Sequence, residues 1–180
     1  MVIRSPSDAM KHGLGLVPED RKRQGLVLEM TARFNTTLPI LDRLARLAFV
    51  RDARDREVTE SYFKRLRVRA PGIDARAAGL SGGNQQKLVL AKWLAADAKV
   101  LILDEPTRGV DVGAKAEIHA LIDELAREGR GILLISSELP ELLRLSTRIL
   151  VVREGRLVGE VARAAATQDG LLRMMAGLAA

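Results

Sequence analysis

The segment Val100 to Glu105 restricts the possible folds of this chain more than any other, because four apolar residues lead directly into two carboxylates. A short continuous apolar run is typical of a strand buried in a parallel sheet. Open α/β sheets bind their ligands beyond the carboxyl ends of such strands. One carboxylate there can hold Mg²⁺ through water, and its neighbour can orient or deprotonate an attacking water. The same two residues can also simply end a strand, so the segment alone leaves the function open.

Strand and helix patterns alternate along the chain, which favours a parallel sheet with both faces covered. Helices are predicted from about Asn84 to Ala96, over the segment that holds Ile118 and Leu125, after Ser137 as N-cap, and from Gln168. The other strands are predicted at 13–18, 131–135, 148–152 and 157–161, and the last two form a hairpin that turns at Glu154-Gly155.

The segment between Thr36 and Arg69 differs from these parts because its pattern is helical. Leu41, Leu44 and Ala48 fall on one predicted helical face, with charges elsewhere. No strand is evident between residues 36 and 79, so the segment is predicted to be a helical insertion. The charged stretch before it, EDRKRQG at 19–25, is predicted to be a loop.

A glycine-rich turn, Leu80-Ser81-Gly82-Gly83, precedes the helix predicted from Asn84. Two glycines let backbone N–H groups approach an anion, and the helix N-terminus adds positive potential. The hydroxyl of Ser81 can donate a further hydrogen bond. The alternative is an ordinary helix start in which Ser81 is the N-cap and the glycines are merely flexible.

Composition excludes several kinds of site and leaves the charge ambiguous. The chain has no cysteine, which excludes disulfides, zinc-thiolate sites and a cysteine nucleophile. Its apolar runs are far too short to span a bilayer, so any membrane role is expected to be peripheral. The net charge of +6 is compatible with binding to nucleic acid or anionic lipid, and equally with solvated helix faces of an Arg-rich chain.

The order and spacing of the motifs are more specific than any one of them. LSGGNQQK at 80–87, a short helix, LILDEP at 101–106, another helix and the strand ILLIS at 132–136 together resemble an ABC ATPase. The resemblance identifies Ser81–Gln85 as the signature turn, Val100–Glu105 as the Walker B strand and Pro106–Asp111 as the D-loop. It implies an α/β, parallel-sheet core of the P-loop NTPase type, incomplete here, with a helical subdomain and a C-terminal hairpin and helix.

Further motifs resemble one branch of that family, the second nucleotide-binding half of bacterial simple-sugar importers of the ribose, galactose and xylose type. These motifs are EDRKRQGL at 19–26, DEPTRGVDVGAK at 104–115 and SSELPE at 136–141. The expected domain limits are 1–165 for a partial ABC ATPase domain, 31–79 for the helical subdomain within it, and 166–180 for the C-terminal helix. The chain resembles a segment that begins after the Walker A helix of that half.

The resemblance implies a role for individual residues, with ATP and Mg²⁺ as cofactors. Asp104 is expected to hold Mg²⁺ through water, and Glu105 and Ser137 are expected to be catalytic positions together with Asp104. A coupling loop toward a permease is expected at Glu19, Asp20 and Arg21. The expected nucleotide-binding residues are Ser81, Gly82, Gly83, Asn84, Gln85 and Asp111.

Three departures from the general family pattern qualify these expectations. The chain contains no G-x-x-x-x-G-K-[ST] motif, so the phosphate-binding loop and its lysine are missing from it. Glu19 stands where the Q-loop glutamine is usual, and Ser137 stands where the switch histidine is usual. At both positions the chain resembles the second half of a sugar importer. We expect the chain alone to bind ATP weakly or not at all.

The function implied is that of an ATP-hydrolysing subunit, present as a fragment, that energises uptake of a simple sugar at the cytoplasmic face of the bacterial inner membrane. The expected partners are another nucleotide-binding half placed head to tail, a transmembrane sugar permease and, indirectly, a sugar-binding protein, with no nucleic acid. One alternative is a nucleic-acid-associated ABC ATPase, although the repair type inserts a long coiled coil where this chain has only residues 20–80 without sustained heptads. The other is an inactive, truncated remnant.

Overall fold

The computed structural model describes residues 2–47 and 49–178, so Ala48 of the predicted helical face lies outside the described residues. Two compact units are present, Met1–Leu133 and Leu134–Ala180, and each is considered by itself. The helices are α1 (Pro6–Lys11), α2 (Ala32–Thr37), α3 (Leu41–Leu44), α4 (Asp52–Arg65), α5 (Gly82–Ala95), α6 (Val112–Arg127), α7 (Leu139–Leu145) and α8 (Gln168–Ala176). The strands are β1 (Leu14–Val17), β2 (Ala45–Arg46), β3 (Phe49–Val50), β4 (Val100–Asp104), β5 (Gly131–Ile135), β6 (Arg148–Arg153) and β7 (Arg156–Ala162).

The main sheet has the strand order β1-β4-β5, with the predicted Walker B strand in the centre. Strands β1 and β4 are parallel, and Leu14 lies opposite Val100 while Val17 lies opposite Leu103. The predicted strands at 13–18 and 131–135 and the predicted Walker B strand are therefore confirmed, and the first of them pairs in parallel with the Walker B strand.

One face of this sheet is fully covered. Val17, Leu101 and Leu103 are completely buried on it. Helix α5 lies against this face so closely that a β-carbon at Gly15 would be 3.0 Å from the ring of Trp93. The buried residues of α6, which include Ile118 and Leu125, extend the same apolar core because α6 packs against α5.

The opposite face of the sheet is open, which differs from the prediction that helices cover both faces. Leu16 is 48% exposed and Leu133 is 47% exposed. These side chains alternate with the buried ones, because successive residues of a strand point to opposite sides. Within the described part of the unit, this face has no cover that buries Leu16 and Leu133 as the other face buries Leu101.

The helical insertion is real but is interrupted, contrary to the prediction of a strand-free segment. A hairpin of two very short strands, β2 and β3, separates α3 from α4. Leu47 has a φ of +51°, the left-handed conformation that a tight turn requires. The backbone N–H of Arg51 then donates to the carbonyl of Leu44, which closes the loop before α4 begins. Strands of two residues are too short to produce a sequence period.

Ion pairs hold the helical segment together. The guanidinium of Arg33 on α2 pairs with Asp52, Asp55 and Asp74, and its side chain is only 20% exposed. Arg56 on α4 pairs with Asp52 and Asp74 as well. Hydrogen bonds from Arg33 and then Arg56 lower the pKa of the Asp52 carboxyl. Much of the positive charge in this segment is therefore matched by nearby carboxylates.

The second unit contains α7, the β6–β7 hairpin and α8 around a small apolar core. Glu154 and Gly155 form the predicted turn with φ values of +48° and +74°. The buried apolar residues of this core are Leu139, Ile149, Val151, Ala166 and Leu171. Helix α8 contributes Leu171 to this core, which confirms a helix after Gln168.

The start of α7 corrects one prediction. Helix α7 begins at Leu139, so Glu138 and not Ser137 occupies the position before it. The Oγ of Ser136 accepts the backbone N–H of Glu138 at 3.0 Å. The N-cap position therefore lies one residue later than predicted and is occupied by a glutamate.

Across residues 2–47 and 49–178, we find no helix with both the length and the apolar character that spanning a bilayer would demand.

Candidate functional site

Two adjacent carboxylates lie at the carboxyl end of the central strand β4, as the sequence predicts. Asp104 is the last residue of the strand and is half-buried. Glu105 follows with a φ of +46°, an uncommon conformation for a residue other than glycine. Such conformations cost energy and cluster at functional sites. The D-loop continues from there through the buried Thr107 to the start of α6.

The signature turn leaves the Ser81 hydroxyl oriented by a neighbour. Ser81 takes the N-cap position of α5, but among the described residues its side chain caps no backbone N–H. Instead its Oγ accepts from Nδ2 of Asn84 at 2.9 Å. The Oδ1 of Asn84 accepts the backbone N–H of Arg69 at 2.8 Å, which fixes the orientation of the amide. The hydroxyl hydrogen of Ser81 is thereby directed to an acceptor other than Asn84.

The two glycines of the turn are required by close packing. A β-carbon at Gly82 would lie 2.7 Å from Nη2 of Arg21 and 2.9 Å from the carbonyl oxygen of Gly109. A β-carbon at Gly83 would lie 2.4 Å from the β-carbon of Ala114. Only glycine permits such approaches. The structure therefore brings the signature turn directly against the D-loop and the first turn of α6.

Two predicted nucleotide-binding side chains, those of Gln85 and Asp111, make contacts within the chain. Gln85 is 3% exposed, and its Nε2 donates to the carbonyl of Ala77 at 3.0 Å, so its side chain does not reach the exposed edge. Its place in the motif suggested an exposed residue, but the buried face of α5 starts there. Asp111 is the N-cap of α6, and its Oδ1 accepts the backbone N–H of Ala114 at 2.9 Å.

The predicted loop at 19–25 is a single turn of π-helix, Arg21–Gly25, started by Asp20. The Oδ1 of Asp20 accepts the backbone N–H groups of Lys22 and Arg23. Turns of this rare kind are frequent at functional sites. The carboxylate of Glu19 pairs with the guanidinium of Arg108 in the D-loop.

Arg21 departs from the expectation that this loop presents its charges at the surface. It is only 8% exposed, and its Nη1 and Nη2 donate to the carbonyls of Arg108 and Gly109 at 2.7 and 3.1 Å. Burial lowers the pKa of the Arg21 guanidinium, and the charge of Asp20 opposes that shift. Arg23, two residues later, is exposed.

An ion pair behind the signature turn, between the buried Lys87 and the partly exposed Glu117, was not predicted. Lys87 on α5 donates to the carboxylate of Glu117 on α6 at 2.6 Å and to the carbonyl of Arg67 at 2.9 Å. Arg69 pairs with the other oxygen of Glu117. The hydrogen bond from Lys87 lowers the pKa of the Glu117 carboxyl, and the charges of Lys87, Arg69 and Arg67 add to the effect. The network keeps the backbone of Arg69 beside Asn84.

Ser137 lies in the second unit, two residues after the end of β5. Its expected catalytic role with Asp104 and Glu105 stays a prediction.

Comparison with known proteins identifies the family of the chain. A sequence model of the family described as ABC transporter matches residues 4–108. The chain belongs to the ABC transporter family. The resemblance inferred from the motifs is confirmed.

Curated relatives of this ABC chain are bacterial sugar-import proteins by name. The ribose import ATP-binding protein RbsA of Yersinia pestis is 46% identical over 178 residues, which cover 99% of this chain and 35% of the relative. The xylose import ATP-binding protein XylG of Geobacillus kaustophilus is 50% identical over 175 residues, covering 97% and 35%. The chain thus spans about a third of the length of the curated relatives it matches.

Solved ABC structures share the fold. The ATP-binding cassette MJ0796, in a dimeric post-hydrolysis state bound to ADP and Pi, superposes with a TM-score of 0.73 at 18% identity. The match covers 89% of this chain and 68% of that one. A second dimeric structure of the same cassette gives 0.72 at 21% identity. The predicted α/β fold class of an ABC ATPase core is therefore confirmed.

Proposed function

We propose that this chain is the signature-bearing part of an ATP-hydrolysing subunit of a bacterial importer for a simple sugar. The observation that carries the proposal is the direct packing of the signature turn on the D-loop, seen where Gly82 meets Arg21 and the carbonyl of Gly109. The names of the relatives, which import ribose, galactosides or xylose, support a simple sugar as cargo.

The signature turn has the donors that a phosphate group needs. Ser81 is exposed, and its hydroxyl hydrogen is directed away from Asn84. The backbone N–H groups at the start of α5 add the positive potential of a helix N-terminus. In the head-to-tail arrangement expected for two nucleotide-binding halves, Ser81, Gly82 and Gly83 would contact an ATP held by the partner half. The ATP would supply the phosphoanhydride bond that is cleaved.

The residues of this chain fit a shared Mg²⁺ rather than a protein-enclosed one. Among the described residues there is no group of three or more His, Cys, Asp and Glu that could hold a metal. Mg²⁺ commonly keeps several waters and is held by one carboxylate together with substrate phosphates. Asp104 would supply that contact through water, and Glu105 would accept a proton from the attacking water.

The proposed partners are a second nucleotide-binding half, a transmembrane sugar permease and, through it, a sugar-binding protein, with the subunit at the cytoplasmic face of the inner membrane. Of the expected coupling residues Glu19, Asp20 and Arg21, the first two stay in the proposed coupling loop, the exposed Arg23 is added to it, and the buried Arg21 would act behind it. We propose no nucleic-acid partner, because many of the basic side chains that raised that alternative are engaged by carboxylates, including Arg33, Arg56 and Arg65.

The test uses a protein in which this chain is joined to a phosphate-binding segment and a second half. Ser81→Arg should lower turnover by roughly 100-fold or more, because it places bulk and charge against the partner's phosphates. Ser61→Arg, at an exposed position of α4, is the matched control and should leave turnover unchanged. Equal turnover in the Ser81→Arg and Ser61→Arg proteins would refute the proposal.

A second comparison concerns the division of labour. Glu105→Gln should reduce turnover much less than Ser81→Arg, because Ser137 stands at the switch position of the same half. Serine is uncharged near neutral pH and cannot polarise a phosphate as histidine does. Equal losses in the two variants would mean that both halves hydrolyse ATP, and the proposed asymmetry would then be wrong.

A further inference from the structure

The D-loop is held by a side chain that lies far from it in the sequence. Arg21 donates to two consecutive D-loop carbonyls, those of Arg108 and Gly109, at separations of 87 and 88 residues along the chain. Gly109 has a φ of +65°, a left-handed conformation that glycine adopts without strain. We call this contact the Arg21 bridge.

The base of the bridge is anchored on the signature helix. A β-carbon at Gly25, the last residue of the π-turn, would lie 3.0 Å from Val89 on α5, so the turn and the helix are in close contact. The Nζ of Lys92, also on α5, donates to the carbonyl of Gly25. The π-turn thus connects α5 on one side with the D-loop on the other.

The space between these parts leaves little room for adjustment. The Nη2 of Arg21 occupies the volume next to Gly82 at the start of the signature helix. The Nε of Arg21 is buried and has no hydrogen-bond partner among the described residues. Burying an incompletely paired guanidinium is costly. A residue with only a packing role could be apolar at this position without that cost.

We propose that Arg21 is a positioning residue that fixes the D-loop relative to the signature turn. Its two hydrogen bonds set the direction of the D-loop carbonyls, and its guanidinium sets the distance between Gly82 and Gly109. The pair of Glu19 and Arg108 fastens the same loop from its exposed side. The segment 19–25, the D-loop and the start of α5 then move as one body. This role in turnover rests on the function proposed above.

The first experiment measures hydrogen–deuterium exchange in the 180-residue chain and needs no nucleotide. Arg21→Met keeps an unbranched stem and removes the guanidinium with all of its donors. We expect the backbone amides of residues 105, 107–111 and 81–85 to exchange roughly 10-fold faster, as loss of two hydrogen bonds from a charged donor would allow. Arg23→Met changes the same charge in the same turn at an exposed position and should leave exchange unchanged.

Two results would overturn the proposal at this stage. Unchanged exchange of residues 105–111 in Arg21→Met would show that the bridge does not hold the D-loop. Equal acceleration throughout α6, including Ile118 to Leu125, would show that Arg21 only stabilises the unit as a whole. Arg21→Lys, which keeps a charged donor, should restore part of the protection if the hydrogen bonds are the cause.

The second experiment measures steady-state ATP hydrolysis in the protein joined to a phosphate-binding segment and a second half. Arg21→Met should lower kcat about 10-fold while KM for ATP stays within about twofold, because a displaced D-loop affects positioning more than binding. An unchanged kcat would overturn the role in turnover. If the unmutated protein hydrolyses no ATP, the proposed function fails, whereas the exchange experiment still decides whether Arg21 positions the D-loop.

Discussion

The two faces of the main sheet differ in what the chain provides for them. On one face, Leu101 and Leu103 are completely buried, and α5, which packs on β1, carries the signature turn at its N-terminus. On the other face, Leu16 and Leu133 remain about half exposed. The chain therefore builds and fixes the side that bears its signature motif, while the opposite side contributes less to stability. Substitutions of the same kind on the two faces should have very different effects.

The largest effect is expected from shortening a leucine on the covered face. Leu103→Ala should lower the free energy of unfolding by about 3 kcal/mol, because it removes a fully buried side chain and leaves a cavity. Leu16→Ala, on the open face, should cost less than about 1 kcal/mol, since much of that side chain is already in water. Urea denaturation of the two variants measures the difference. Equal losses would show that a cover for the open face forms in solution.

A smaller effect is expected where α5 meets α6. Gly83→Ala should cost about 2 kcal/mol, because its β-carbon would come within 2.4 Å of Ala114 and the helices must separate. Gly79→Ala is the matched control, as no atom of the described residues lies within 4 Å of a β-carbon there. Thermal unfolding of both variants gives the comparison. A Gly83→Ala protein as stable as Gly79→Ala would mean that the contact relaxes freely.

The third prediction concerns the hydroxyl of Ser81. Asn84→Asp keeps the acceptor for the backbone N–H of Arg69 but cannot donate to Ser81, so the hydroxyl would turn toward the new carboxylate. Turnover of the joined protein should fall roughly 10-fold further in Asn84→Asp than in Asn84→Ala, the size of one lost hydrogen bond to a charged group.

The added charge in Asn84→Asp is controlled by repeating both substitutions in a Ser81→Ala background. An effect of charge alone would persist there, whereas an effect through the hydroxyl would disappear. If Asn84→Ala lowers turnover more than Asn84→Asp does, Asn84 acts only by accepting the backbone N–H of Arg69.

The smallest effect is a pH dependence from the ion pair behind the signature turn. Because Lys87 lowers the pKa of Glu117 below its ordinary 4.5, the ionised carboxylate favours the folded state. This stabilisation is complete above pH 4.5 and is lost as the pH falls through the lowered pKa. As the pH falls below 4.5, the Glu117→Gln protein should lose less unfolding free energy than the unmutated protein. The difference should be about 0.5 kcal/mol, as for a partly exposed pair. Glu60→Gln, on the exposed side of α4, serves as control, and identical slopes in both variants would contradict the assignment.

The sequence predicted those parts of the fold and site that depend on neighbouring residues. The apolar run before Asp104, the helix start after Ser81 and the hairpin at Glu154-Gly155 each have a local physical cause, and the structure contains all three. The identity of the family followed from their order. The hairpin near Leu47 escaped prediction because two-residue strands carry no period.

The features that escaped prediction depend on partners distant in the chain. The stretch EDRKRQG has the composition of an exposed loop, and only the D-loop, some 87 residues later, explains why Arg21 is buried. Gln85 belongs to a motif, but the buried face of α5 decides where its side chain lies. An apolar strand has the same sequence whether one or both of its faces are covered, so the strand pattern alone does not decide between the two.

The contact between Gly15 and Trp93 offers an optical probe of this architecture. Trp93 is the only tryptophan of the chain, and its ring lies close to Gly15 of β1. Its fluorescence therefore reports on the seam between the sheet and α5 without any label. An emission shift toward longer wavelength would signal that water has entered this seam, even while the hairpin of the second unit stays folded.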